Sequence, residues 1–197
     1  SALAELPQLP GSARELAVVA RSFDAGKSTL LTGRDADEAG LKARDLSRYS
    51  VILFSTHGLV SGELEGVAEP ALVLSPPSAA GNDGLLTASE IALLRLSADW
   101  VILSACNTAA GGSGGSAAYS GLAQAFRFAG ANALLVSHWP VRDDIASFLT
   151  IEAVRASQRG MRKDKALQHA LRKLVSSRTI AKAAEPFAWA PFVLVAP

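Results

Sequence analysis

Cysteine is nearly absent from this chain: 197 residues hold one cysteine and one methionine, with aromatics at 6%. A single thiol closes no internal disulfide, which points to a reducing compartment and a cytoplasmic protein. No apolar run approaches the ~18 residues of a membrane-crossing helix, and the opening residues do not resemble a signal peptide, so no membrane partner is expected. An excess of either charge is also missing. Nineteen Lys and Arg stand against 18 Asp and Glu, a net charge of +1. That balance points away from nucleic acid as a partner. The lone methionine is Met161, so the chain is expected to be one domain of a longer protein.

What is present suits a buried sheet. Hydrophobic residues make up 49% and charged residues 19%, on the apolar side of ordinary globular usage. The length fits one domain with a continuous core. Residues 1–11, with Pro7, Pro10 and Gly11, read as a lead-in segment, and the domain proper as 12–197. Ser12 with Glu15 has capping-box spacing and opens a helix. Residues 29–32 read as a short strand, Asp35 with Glu38 as the start of a helix to about Leu46, and 50–54 as a buried strand. Strand 71–75 follows, then a turn at Asn82-Asp83-Gly84 and a helix capped by Thr87 with Glu90. Strand 99–104, helix 117–129 ending at Gly130, strand 132–137, two amphipathic helices and a last strand over 189–195, at an edge because it contains Pro191, complete the chain. Strands alternating with helices predict an α/β fold with a mostly parallel sheet.

Two strands carry chemistry at their C-terminal ends, where open parallel sheets collect it. Ser50-Val51-Ile52-Leu53-Phe54 runs into Ser55-Thr56-His57-Gly58, and Trp100-Val101-Ile102-Leu103 into Ser104-Ala105-Cys106. Small neighbours leave room for a substrate backbone, and no acid between Asp99 and Asp143 raises the thiol pKa by repulsion. Other motifs fall short. Gly26-Lys27-Ser28-Thr29 lacks the first P-loop glycine, because Arg21 stands there. Glycines around Ser113 spell G-x-S-x-G, with Asp143 and His169 following in hydrolase order. Ser113 lies several residues past its strand, so a serine hydrolase is the weaker alternative. Nine basic residues between Arg155 and Lys182 come without aromatics, the pattern of a solvated helix face or a docking surface.

Phe54-Ser55-Thr56-His57-Gly58, Leu85-Leu86-Thr87-Ala88-Ser89-Glu90-Ile91, Leu103-Ser104-Ala105-Cys106-Asn107-Thr108, Ser137-His138-Trp139-Pro140-Val141-Arg142-Asp143-Asp144 and Trp189-Ala190-Pro191-Phe192-Val193-Leu194 occur in an order that resembles CHAT domains. These are caspase-like domains related to caspases and separases, often placed after tetratricopeptide arrays. The resemblance implies a three-layer sandwich with a mostly parallel sheet flanked by helices, and a cysteine endopeptidase acting on protein substrates without metal or cofactor. Carried over residue by residue, Cys106 is the nucleophile, His57 the general acid/base, and the backbone N–H groups of Gly58 and Cys106 the oxyanion hole. The 49 residues from His57 to Cys106 match the caspase interval. Asp143, in a Trp-x-Val-x-Asp run like that lining the separase P1 pocket, implies a basic P1 residue; its alternative is a helix cap. Trp139 walls the S2 side or packs. Ser104 stands on the substrate side where caspases carry Gln, which removes support for aspartate specificity. A regulatory repeat domain of tetratricopeptide type is the implied partner, and a non-catalytic interaction module is the other reading.

Overall fold

Trp100–Ser104 form strand β5, and in the computed structural model every one of these residues is buried. The structure describes residues 2–63, 66–76, 82–104, 115–139 and 141–196. β1 (Val51–Ser55) runs parallel to β5, in register from Val51 beside Trp100 to Ser55 beside Ser104. β6 (Leu134–Ser137) lies parallel on the other side of β5, and β7 (Phe192–Val195) closes the row antiparallel, giving the order β1-β5-β6-β7.

Successive strand residues point to opposite faces, and β5 accordingly feeds two cores. Val101 and Leu103 face one, with Ile91 of α3 (Ala88–Leu93) and Leu122 and Phe126 of α4 (Gly115–Phe128). There the Phe54 and Phe126 rings lie 5.5 Å apart. Trp100 and Ile102 face the other, with Val19 of α1 (Ser12–Ala20), Leu149 of α5 (Asp143–Gln158) and Leu167 and Leu174 of α6 (Lys163–Val175). The result is the expected three-layer sandwich around a mostly parallel sheet. On α6, Lys165, Arg172 and Lys173 are exposed, opposite the buried leucines. No helix among the described residues is long and apolar enough to cross a membrane.

A second, antiparallel sheet joins β2 (Gly58–Leu59), β3 (Ala71–Val73) and β4 (Leu85–Thr87). β2 and β4 went unanticipated because two or three residues are too few to show alternation. Several sequence expectations need correction. The last strand, expected over 189–195, begins only at Phe192, because Trp189 still belongs to a helical turn opened by Pro186. Residues 29–32 form no strand: they line one side of a groove of about 380 Å³ whose other side is β1, and no described strand ladders with them. β1 is an edge strand, mostly half-buried. The helix expected from Asp35 to Leu46 is only α2 (Glu38–Lys42), capped by Asp37 accepting from the Gly40 N–H at 2.7 Å, with short 3₁₀ turns on either side. The Thr87–Glu90 capping box on α3 is present with both of its hydrogen bonds. Gly130 ends α4's segment at φ +111, and a Cβ there would sit 2.2 Å from the Leu96 carbonyl oxygen.

Because Phe126 is fully buried between sheet and α4, Phe126→Ala is expected to cost about 3–5 kcal/mol, cavity included. Urea unfolding checks this, and a loss below about 1 kcal/mol would place that ring outside the main core.

Candidate active site at the ends of β1 and β5

His57 follows β1 by two residues, and its backbone is held from both directions. The Thr56 hydroxyl donates to the Val73 carbonyl, the Val73 N–H donates to the His57 carbonyl at 2.9 Å, and Gly58 pairs with Leu72. The imidazole is 7% exposed. Its Nε2 lies 2.7 Å from the Pro7 carbonyl oxygen. A carbonyl only accepts, so Nε2 carries a proton, and in the neutral ring the lone pair lies on Nδ1. Nδ1 is buried and has no hydrogen-bond partner among the described residues. The neutral ring is thereby held in one tautomer, with Nδ1 free of hydrogen-bond partners among the described residues.

Glu15 lies beside the strand ends. Its expected capping role on α1 is not observed: the N-cap is Gly11 without a side-chain bond, and the Ser12 hydroxyl instead donates to the Leu9 carbonyl at 2.9 Å. Glu15 turns inward, 1% exposed. Its Oε2 accepts from the Ser55 hydroxyl and its Oε1 from the Ser104 hydroxyl, both at 2.6 Å. Thr150 of α5 also hydrogen-bonds it. Burial pushes the Glu15 carboxyl above its usual range; the three hydroxyls pull it back and the Asp143 charge pushes it further up, leaving it raised.

Asp143 opens α5 as a helical residue; the N-cap is Arg142, so the helix-cap alternative for Asp143 is not what the backbone adopts. Its Oδ2 accepts from the Gly11 N–H at 2.9 Å. A Cβ at position 11 would fall 2.0 Å from that oxygen, so any other residue there would have to displace the Asp143 carboxylate. Residues 7–11 thus touch both His57, through Pro7, and Asp143, through Gly11. Trp139 is half-buried; its indole N–H donates to the Phe187 carbonyl at 3.1 Å and its ring packs 5.9 Å from that of Phe187, on α7 (Pro186–Trp189). Ser104, expected on the substrate side, is 3% exposed with its hydroxyl donated to Glu15. Cys106 and Ser113 lie outside the described residues; Cys106 follows the end of β5 by two positions.

The family model of the CHAT domain matches residues 2–197. This chain belongs to the CHAT-domain family. No curated protein matches it. The three layers described above are the caspase-like architecture of a CHAT domain.

Two participants in this CHAT domain's site escaped the sequence reading. Pro7 acts through a backbone carbonyl, which no side-chain pattern announces. Glu15 carried a signal, but the capping-box spacing explained it away; an acid among Ser12, Leu16 and Val19 at helical spacing sits near the buried stripe.

The raised Glu15 carboxyl has a stability consequence. Between the ordinary carboxylate pKa and the raised folded value, the native state binds more protons than the unfolded chain, so its contribution to stability falls as pH rises through that window. Glu15→Gln removes this dependence. Its Tm minus that of the wild type is expected to climb with pH above about 4.5, as read by calorimetry; a difference constant with pH would contradict the assignment.

Proposed function

We propose that this CHAT domain is a cysteine endopeptidase that cleaves protein substrates with Cys106 and His57. The observation that carries the reading is the His57 ring, with Nε2 committed to the Pro7 carbonyl and Nδ1 unpartnered among the described residues. It sits just past a strand paired in register with the one that leads to Cys106. In this mechanism the Cys106 thiol passes its proton to His57 Nδ1, and the thiolate adds to the scissile carbonyl carbon. The resulting oxyanion takes hydrogen bonds from the Gly58 and Cys106 N–H groups, one such donor contributing roughly 3 kcal/mol. Collapse breaks the C–N bond as the imidazolium protonates the leaving amine, and water then hydrolyses the thioester with His57 as base.

Gly58 fits this role. A Cβ there would meet nothing nearer than Leu72 Cδ2 at 3.9 Å among the described residues, and its φ is not among the positive ones. Nothing in that packing demands glycine among the described residues, and in this mechanism the missing Cβ leaves room for the substrate carbonyl to approach the Gly58 N–H. A basic P1 side chain facing Asp143, with Trp139 beside it, is the specificity proposed with this mechanism. Control by a repeat domain elsewhere in a longer, cytoplasmic protein is the regulation proposed with it.

Cys106→Ala is expected to abolish cleavage of a peptide library, and His57→Ala to lower it by about 10²–10⁴-fold, with Ser113→Ala unchanged. Loss only with Ser113→Ala would favour the serine hydrolase, and no turnover by the wild type would favour an interaction module. Gly58→Ala separates structure from chemistry: its Tm should stay within a few degrees of the wild type while kcat/KM drops roughly tenfold or more. A Gly58→Ala variant of full activity would remove Gly58 from the oxyanion hole.

A further inference from the structure

We propose that Glu15 is a positioning residue: its carboxyl group clasps the ends of β1 and β5 through Ser55 and Ser104 and thereby sets the separation of His57 from Cys106. The inference rests on the peptidase reading above and adds to it a residue of α1 that makes no contact with substrate.

The geometry is specific. Ser55 and Ser104 are the last pair of the β1–β5 ladder, and they face each other in register. Each stands two residues before a proposed catalytic group, Ser55 before His57 and Ser104 before Cys106. Beyond this pair the His57 strand leaves the sheet for β3. Backbone pairing therefore ends where positional control of the two side chains is most needed. Glu15 supplies a bond at that point, one carboxyl oxygen to each strand at the same 2.6 Å. Two oxygens of one rigid planar group hold the strands at a fixed lateral spacing, as two independent hydrogen bonds would not.

Packing alone does not account for an acid here. Glu15 is 1% exposed, and burying a carboxyl group costs free energy that an apolar side chain of similar volume would not. Fully satisfied buried polar groups restrict a core to one arrangement. Thr150 adds a third hydroxyl from α5, the helix whose first residue is Asp143. One side chain thus ties α1, β1, β5 and α5 together at the catalytic rim. Serine and threonine hydroxyls turn to donate or accept, so the clasp survives whether or not the carboxyl is ionised.

The test uses the 197-residue chain and its only thiol. Alkylation of Cys106 by iodoacetamide, in which the thiolate displaces iodide, is followed against pH in the wild type, His57→Ala, Glu15→Met and Glu15→Gln. Met keeps the length without the hydrogen bonds, and Gln keeps them. A thiolate sustained by His57 gives a low-pH limb that His57→Ala lacks. Glu15→Met is expected to lose that limb too and, on a cleaved peptide, to lower kcat roughly 10²-fold, the size of a ~1 Å misplacement, with KM within about threefold. Glu15→Gln should restore most of both. If Glu15→Met does not fold, Ser55→Ala, which removes one arm of the clasp, is expected to show the same loss to a smaller degree. A folded Glu15→Met or Ser55→Ala variant with the wild-type limb and kcat would overturn the clasp. An unchanged profile in His57→Ala would instead overturn the peptidase reading.

Discussion

Two parallel strands in register, β1 beside β5, are the constraint on which the rest of the molecule depends. Parallel pairing brings the C-terminal ends of both strands to one edge of the sheet, so residues equally far beyond Ser55 and Ser104 start from neighbouring points. His57 and Cys106 are two residues beyond those serines. An antiparallel pairing would send the imidazole and the thiol to opposite ends of the sheet. A one-residue slip would turn Ser55 away from Glu15 and place Phe54 or Thr56 in its position.

The two cores keep that register in place. Phe54 and Leu103 lie on one face, while Trp100 and Ile102 lie on the other. A slip would therefore move apolar side chains off both faces at once. The site is assembled from parts far apart in sequence: a carbonyl from residue 7, a carboxyl group from residue 15, a ring from residue 57 and two serines 49 positions apart. Only the folded sheet makes them neighbours. The segment before α1 belongs to this assembly, since Pro7 touches the imidazole and Gly11 touches Asp143.

Much of the fold was legible in the sequence, for identifiable reasons. β5 and β6 show as continuous apolar runs and α5 and α6 as apolar residues at helical spacing, and Thr87 with Glu90 formed the capping box its spacing predicts. Pro191 marked β7 as an edge, which it is. The same kind of spacing misled at Ser12 and Glu15, because a capping box and an inward-facing acid look alike until tertiary contacts decide between them. Residues 29–32 have strand propensity but no described ladder partner, and a strand exists only by pairing. The ring of His57 was nameable as a candidate; the carbonyl that fixes its tautomer was not, since every residue except in its side chain offers the same acceptor.

The central claim is that Cys106 and His57 act across one substrate carbonyl at the rim of the sheet. A crystal structure of the chain with a peptide aldehyde tests it most directly. The account predicts a hemithioacetal with Cys106 Sγ bonded to the aldehyde carbon, the Gly58 N–H within about 3 Å of the adduct oxygen, His57 Nδ1 beside the adduct on the side where a scissile amine would leave, and Nε2 still on the Pro7 carbonyl. An unmodified Cys106 buried away from the peptide, or a His57 ring turned out of reach of the adduct, would contradict it.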